Sequence, residues 1–153
     1  IYLKPLANAG GFFMFNNIIF MNIMIGNEKY KNTIFIIQNK FNKFRNNFVI
    51  ITAYNPMDNV LIDKENKTRN KLLYQSLKTL RKEIIFITGS SPEKKHQEPS
   101  FLIDISLNHG LKFARAFQQR AIFWNRNNNL QIVYCENLFK SNIGKFTDRI
   151  EVI

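Results

Sequence analysis

ITAYNP, residues 51–56, closes one of the most apolar runs in this chain. The residues leading into it, Phe48-Val49-Ile50-Ile51, are apolar on both faces, the pattern of a strand in the middle of a sheet. Thr52, Tyr54 and Asn55 then bring in three hydrogen-bonding side chains, and Pro56, with no backbone N–H to give, stops the ladder. A core strand that ends this way either surfaces at that point or forms the floor of a site.

The flanking segments supply the rest of a fold. Downstream, Asp63 is placed to cap a helix that runs to about Lys82. Ile84 to Thr88 reads as a strand stopped by Gly89-Ser90-Ser91-Pro92, and after the polar loop Glu93–Gln97 a further strand spans Phe101 to Ile105. Ser106 caps a second helix from Leu107 to about Gln119. Ala121–Trp124 and Leu130–Cys135 then form a hairpin about a turn at Asn125–Asn129. Upstream, Tyr30–Gln38 reads as an additional strand, joined to the ITAYNP strand by the Asn- and Lys-rich connection Asn39–Asn47. The order strand-helix-strand-strand-helix-strand predicts an α+β two-layer sandwich of ferredoxin-like type, with an extra N-terminal strand and a C-terminal hairpin strand. Right-handed crossovers give its core the strand order fourth-first-third-second.

Composition sets the outer bounds. The 153 residues suffice for one domain with a real core, and 45% hydrophobic content with 15 Phe excludes a disordered chain. That domain is expected over residues 27–136. Residues 137–153 are a tail with one more strand near Arg149–Ile153. The chain begins with Ile1, and translation from Met21 or Met24 would remove nearly all of residues 1–26, so these are expected to be an extension outside the fold. Its apolar stretch, residues 11–25, is interrupted by Asn16, Asn17 and Asn22 and falls short of a membrane span. Lys+Arg 22 against Asp+Glu 11 gives a formal charge of +11, which invites nucleic acid as a partner. The basic residues read as scattered rather than striped along one face, however, and an AT-rich coding bias accounts for the lysines without phosphate contacts. Cys135 sits in an apolar run as a small strand hydrophobe, and His96 and His109 lie in different segments, so neither a disulfide nor a metal site is expected.

Tracing the expected topology brings the polar residues that break apolar patterns to one end. The helix after ITAYNP has its buried stripe at Leu73, Leu77 and Leu80, and extending that stripe backward reaches Arg69 and Asn66. Tyr54 and Asn55 at the strand end, Glu98-Pro99-Ser100 before the next strand and Gln119 after the second helix fall at the same pole. Each has a bland alternative: Arg69 pairing with Glu65 on the surface, Glu98 in solvent, Tyr54 as a core ring with a wet hydroxyl. Together they suit a small polar ligand.

Four ordered motifs carry a resemblance. ITAYNP, ENKTR (Glu65–Arg69), EPSFLI (Glu98–Ile103) and ARAFQQRAIFW (Ala114–Trp124) resemble a small bacterial family catalogued as domain of unknown function 3293, over about Tyr30 to Glu136. The matching positions include Thr52, Tyr54, Asn55, Pro56, Glu65, Asn66, Arg69, Glu98, Pro99, Ser100, Phe101 and Gln119. This chain departs from the pattern at His96-Gln97, where the family favours Trp-Pro, and at Gln118, where it favours Gly. A more remote likeness, in the order of a strand ending in Ser/Thr-Ala-aromatic, an Arg-bearing helix and a Glu leading into the next strand, is to phage enzymes that degrade S-adenosylmethionine. Those are small trimeric sandwiches with sites between subunits. That likeness implies Tyr54 and Glu98 as catalytic candidates in a lyase-like reaction, where the substrate's own carboxylate displaces the sulfonium leaving group and the protein mainly positions it. Thr52, Asn55, Asn66, Arg69, Ser100 and Gln119 are then the ligand-binding candidates. The expectation is a cytoplasmic protein without cofactor or membrane partner that binds a small polar or nucleoside-like metabolite. The alternatives are a basic nucleic-acid module and a homo-oligomeric, trimeric interaction module.

Overall fold

A computed structural model of the chain describes residues 28–38 and 44–153. The expected extension, residues 1–26, and residues 39–43 of the expected connection lie outside the described residues. The chain falls into two units, Ile1–Lys31 and Asn32–Ile153. Of the first, residues 28–31 are described and helical.

The second unit is α+β. Its elements are β1 (Ile34–Ile37), β2 (Asn47–Ile51), a 3-10 turn at Pro56–Asp58, α1 (Asp63–Lys78), β3 (Ile84–Ser90), β4 (Gln97–Ile103), α2 (Leu107–Ala116), β5 (Ala121–Arg126), β6 (Asn129–Tyr134), β7 (Lys140–Lys145), a 3-10 turn at Phe146–Arg149, and β8 (Ile150–Val152). All eight strands join one sheet in the order β7-β6-β5-β2-β4-β3-β1-β8. The sheet is mixed, because β8 pairs with β1 in parallel while the other pairs are antiparallel. Its middle four strands, β5-β2-β4-β3, follow the fourth-first-third-second order that right-handed crossovers dictate.

The sheet curls. Laid flat, eight strands would hold their outer edges about 33 Å apart at the usual inter-strand spacing. The edge strands β7 and β8 are nevertheless linked by the four residues Phe146–Arg149, a reach of no more than about 18 Å. Aromatic rings fill the inside of the curl. Phe35 on β1 meets Phe123 on β5 edge-on, with ring centroids 5.1 Å apart although three strands separate them in the sheet. Phe146 packs on Phe35, Phe44 and Phe48. The opposite face carries the helices. Side chains alternate along a strand, so Val49 and Ile51 of β2 join Leu73 and Leu77 of α1 and Leu111 and Ala114 of α2 in a second core.

Several boundaries differ from the sequence reading. Both helices are shorter than expected, because Arg81 (φ 52°) and Gln118 (φ 56°) turn left-handed soon after Lys78 and Ala116. Asp63 does not cap α1. Ile62 holds that position, and Asp63 lies in the first turn, where it pairs with Lys67 at 2.6 Å. Ser106 does cap α2, accepting from the His109 amide at 3.3 Å. The expected turn at Asn125–Asn129 contracts to Asn127-Asn128, both at positive φ as a tight hairpin requires. Asn125 is thereby drawn into β5, buried, with its amide donating to the Asn46 carbonyl at 3.0 Å. β4 begins at Gln97, so Glu98, Pro99 and Ser100 belong to a strand rather than to a loop before it. Residues 137–153 supply two strands. β7 has a poor strand sequence, KSNIGK, and forms by pairing with β6 around a bulge where Gly144 takes φ +99°.

Gly110 shows how closely α2 approaches the sheet. A Cβ there would lie 2.9 Å from Val49 Cγ1 and 3.1 Å from Ile122 Cδ1. Val49 is fully buried and β-branched, so it has little room to yield. Helix propensity favours Ala over Gly by about 1 kcal/mol, whereas overpacking costs about 1–3 kcal/mol. Urea denaturation of Gly110→Ala is expected to show a net stability loss on the order of 1 kcal/mol; a stabilised variant would contradict this packing.

Candidate functional site

The polar end of the ITAYNP strand lies where β2 and β4 part. Their pairing stops at Ile51↔Phe101. Continuing the register would set Ala53 opposite Pro99. Instead, the Asn70 carboxamide of α1 stands between them, accepting from the Ala53 amide at 3.0 Å and donating to the Pro99 carbonyl at 3.0 Å. Thr52 Oγ1 donates to the same carbonyl at 2.8 Å and accepts from the Tyr54 amide at 3.1 Å. Side chains thus replace the ladder bonds lost at the split. This answers why a core strand ends in hydrogen-bonding residues.

The chain beyond the split is strained. Asn55, Met57 and Asp58 have φ of 45°, 50° and 63°, a conformation that costs a non-glycine residue on the order of 1 kcal/mol. Tight bonding offsets that cost. Asn66 Oδ1 accepts from the Asn55 amide at 2.8 Å, and Asn66 Nδ2 donates to Asn55 Oδ1 at 2.9 Å and to the Leu61 carbonyl at 3.2 Å. Asn55 Oδ1 also accepts from the Leu61 amide at 3.1 Å. Arg69 donates from Nε to the Ala53 carbonyl at 2.9 Å and from Nη2 to the Phe117 carbonyl, rather than pairing with Glu65. Gln119 Nε2 donates to the Tyr54 carbonyl at 3.0 Å. The Met57 amide donates to the Gln118 carbonyl at 2.7 Å, and Asp58 pairs with Arg120 at 2.6 Å.

Of the eight residues expected at a site, Thr52, Arg69 and Gln119 therefore bond to the chain's own backbone, and Asn66 to backbone and to Asn55. Glu98 accepts from Asn55 Nδ2 at 2.8 Å and lies 3.1 Å from His96 Nε2. It stands opposite Gly89 on β3, on the face of the sheet away from Phe101. Asn55 thus gathers Glu98 and Asn66, while Arg69 and Gln119 reach the two residues before it.

Tyr54, by contrast, lines a groove of about 640 Å³ beside α1, which Ser100 borders with its backbone alone, its hydroxyl donating to the Glu98 carbonyl at 2.9 Å on the other face. Its existence follows from coverage. Two helices, each about 10 Å across, span roughly four strands at about 4.8 Å spacing. α1 lies against β4, and α2 against β2 and β5, so neither α1 nor α2 covers β3 and β1 on that face. Ile36, Ile84, Phe86 and Thr88 form the uncovered floor, and Lys67, Asn70, Lys71 and Tyr74 form the α1 wall. Phe86 is 61% exposed there. It packs on Tyr74 and Phe101, with ring centroids 5.2 and 5.5 Å away. Burial pushes the Tyr54 phenol above the ordinary tyrosine range, helped by the Asp63 carboxylate and opposed by Lys67. At neutral pH it is therefore a hydrogen-bond donor. Cys135 is buried and its thiol is pushed up to about 11. Among the described residues no group of three or more His, Cys, Asp or Glu is placed to hold a metal.

The sequence reading missed Asn70 and the groove wall. Asn70 was within reach of pattern, one helical repeat of seven before Leu77. Lys67, Lys71, Tyr74 and Lys78 follow each other at spacings of four, three and four, a stripe on one flank of α1. The basic residues are thus not merely scattered.

An α+β protein with an aromatic groove beside its first helix is the class that this fold and surface define. Residues 51–122, from the first residue of ITAYNP, match the model of a family described as a protein of unknown function (DUF3293), the family that the four motifs resemble. No curated protein and no solved structure matches the chain. Among the described residues no helix is long and apolar enough to cross a membrane.

Replacing Asn70 by Ala leaves the Ala53 amide without its acceptor, while Thr52 still serves Pro99. Such a loss costs about 1–3 kcal/mol. Urea titration of Asn70→Ala should show it, with exposed Glu65→Ala within about 0.5 kcal/mol of the parent; equal stability of the two variants would refute the bridging role.

Proposed function

We propose that this protein binds a small, nucleoside-like metabolite in the groove beside α1, with S-adenosylmethionine among the candidates. One observation carries the reading: Phe86, exposed yet packed on two further rings, offers a flat apolar surface inside a concavity of ligand size. A planar base stacks on such a ring, and a sulfonium is attracted to its face. Tyr54 and Thr88 border the apolar floor and suit the polar edge of a base or ribose. In this reading β2-α1-β3-β4-α2-β5 is a ferredoxin-like core, elaborated at both sheet edges into the curl. Binding rather than turnover is what the side chains support, because only Tyr54 of the two catalytic candidates reaches the groove.

Calorimetric titration with S-adenosylmethionine, its thioether breakdown products and free nucleosides tests the proposal. At least one should bind, and Phe86→Ala should weaken it about tenfold or more, since loss of an aromatic stack costs about 1–3 kcal/mol. Phe86 is too exposed for its loss to unfold the protein. No heat with any ligand, or undiminished binding by a folded Phe86→Ala, overturns the reading.

A further inference from the structure

The α1 wall of the groove has a charge pattern of its own. Taking the buried centre of the helix as the line through Asn66, Asn70, Leu73 and Leu77, Lys67, Lys71, Tyr74 and Lys78 fall on one flank, at 3.6 residues per turn. Arg69 falls on the other flank, toward the Phe117 carbonyl. The lysine flank is the one that faces Phe86: Lys67, Lys71 and Tyr74 line the groove, and Lys78 Nζ lies 5.7 Å from the centre of the Tyr74 ring. The four residues span about 16 Å of helix.

These cations differ in commitment. Lys67 pairs with Asp63 at 2.6 Å. Lys71 makes no ion pair among the described residues and projects at the groove rim. The carboxylate among the described lining residues is Glu83, at the β3 end. A ring-binding floor flanked by ammonium groups, with an uncommitted one one turn beyond Lys67, complements a molecule that is planar at one end and anionic at the other. Neutral nucleosides leave Lys71 unused.

We infer that the groove recognises a phosphorylated nucleoside, with the base on Phe86 and Tyr74 and the phosphate held by Lys71. This inference rests on the proposed ligand site and narrows its ligand class. The nucleoside phosphate is either a free nucleotide or one unit of a single strand, and the stripe continues past the groove to Lys78 in a way that admits both.

Calorimetry with adenosine, adenosine 5′-diphosphate and a short single-stranded oligoadenylate, at low and at moderate NaCl, tests it. The diphosphate should bind about tenfold or more tighter than adenosine at low salt, and the gap should shrink with salt because the lysines are exposed. Lys71→Glu should close that gap, bringing the diphosphate down to the affinity of adenosine for the same variant. Lys112→Glu, the same charge change on exposed α2 surface, should preserve it. Tighter binding of the oligomer than of the diphosphate, sensitive to Lys71→Glu, assigns the phosphate to a strand; the reverse assigns it to a free nucleotide. Equal affinity for adenosine and its diphosphate, or a gap that survives Lys71→Glu, overturns the phosphate inference while leaving the groove reading intact. No binding of any of the three, together with no response to the neutral and sulfonium ligands, ends both.

Discussion

The carboxamide of Asn70 sits where two central strands separate, and much of the architecture depends on that bridge. β2 and β4 must part so that the chain can turn back into α1, yet their backbone groups are already buried at the point of parting. An unpaired buried amide costs about as much as a whole hydrogen bond contributes, and often more. Asn70 meets both strands at once. Arg69 and Asn66, on neighbouring positions of the same helix, bind the next backbone groups along the departing chain. The first turns of α1 and the ITAYNP segment therefore form a single cross-bonded unit, and the strained Asn55–Asp58 turn persists because its surroundings over-determine it.

That unit also fixes the position of α1 over the sheet, and the rest of the molecule follows from coverage. With α1 held against β4 and α2 seated closely through Gly110, these two helices protect the middle of the sheet and do not reach over β3 and β1 on that face. The other face carries neither α1 nor α2 and protects itself by curling, with Phe146 drawn into the hollow between strands that would be far apart in a flat sheet. One face thus ends as an aromatic core and the other as a groove with an aromatic floor. Apolar surface exposed inside a concavity, rather than spread over a flat patch, is the arrangement that suits a small ligand.

Much of this was legible in the sequence, for reasons that can be named. The order of the elements and of the middle strands followed from hydrophobic periodicity and the handedness of crossovers. Polar residues in the stripe of Leu73 and Leu77 marked one end of α1 as unusual. Periodicity does not say whether a buried polar atom faces a ligand or the chain's own backbone. That depends on where two strands diverge, a property of tertiary geometry, and so Arg69, Asn66 and Gln119 read as ligand-binding when their atoms go to carbonyls and amides. β7 was invisible because Lys, Ser, Asn and Gly carry no strand preference and only its pairing partner creates it. The groove was invisible because a surface left uncovered has no local signature. Phe86 looks the same in sequence whether it is core or exposed.

Native-state hydrogen exchange tests the central claim most directly. The amides of Ala53, Asn55 and Leu61 donate only to side-chain oxygens of Asn70, Asn66 and Asn55. If those carboxamides hold the divergence, the three amides should exchange with β2, slowed by about a hundredfold or more relative to an unstructured chain. Exchange within about tenfold of the unstructured rate, while β2 stays protected, would contradict it.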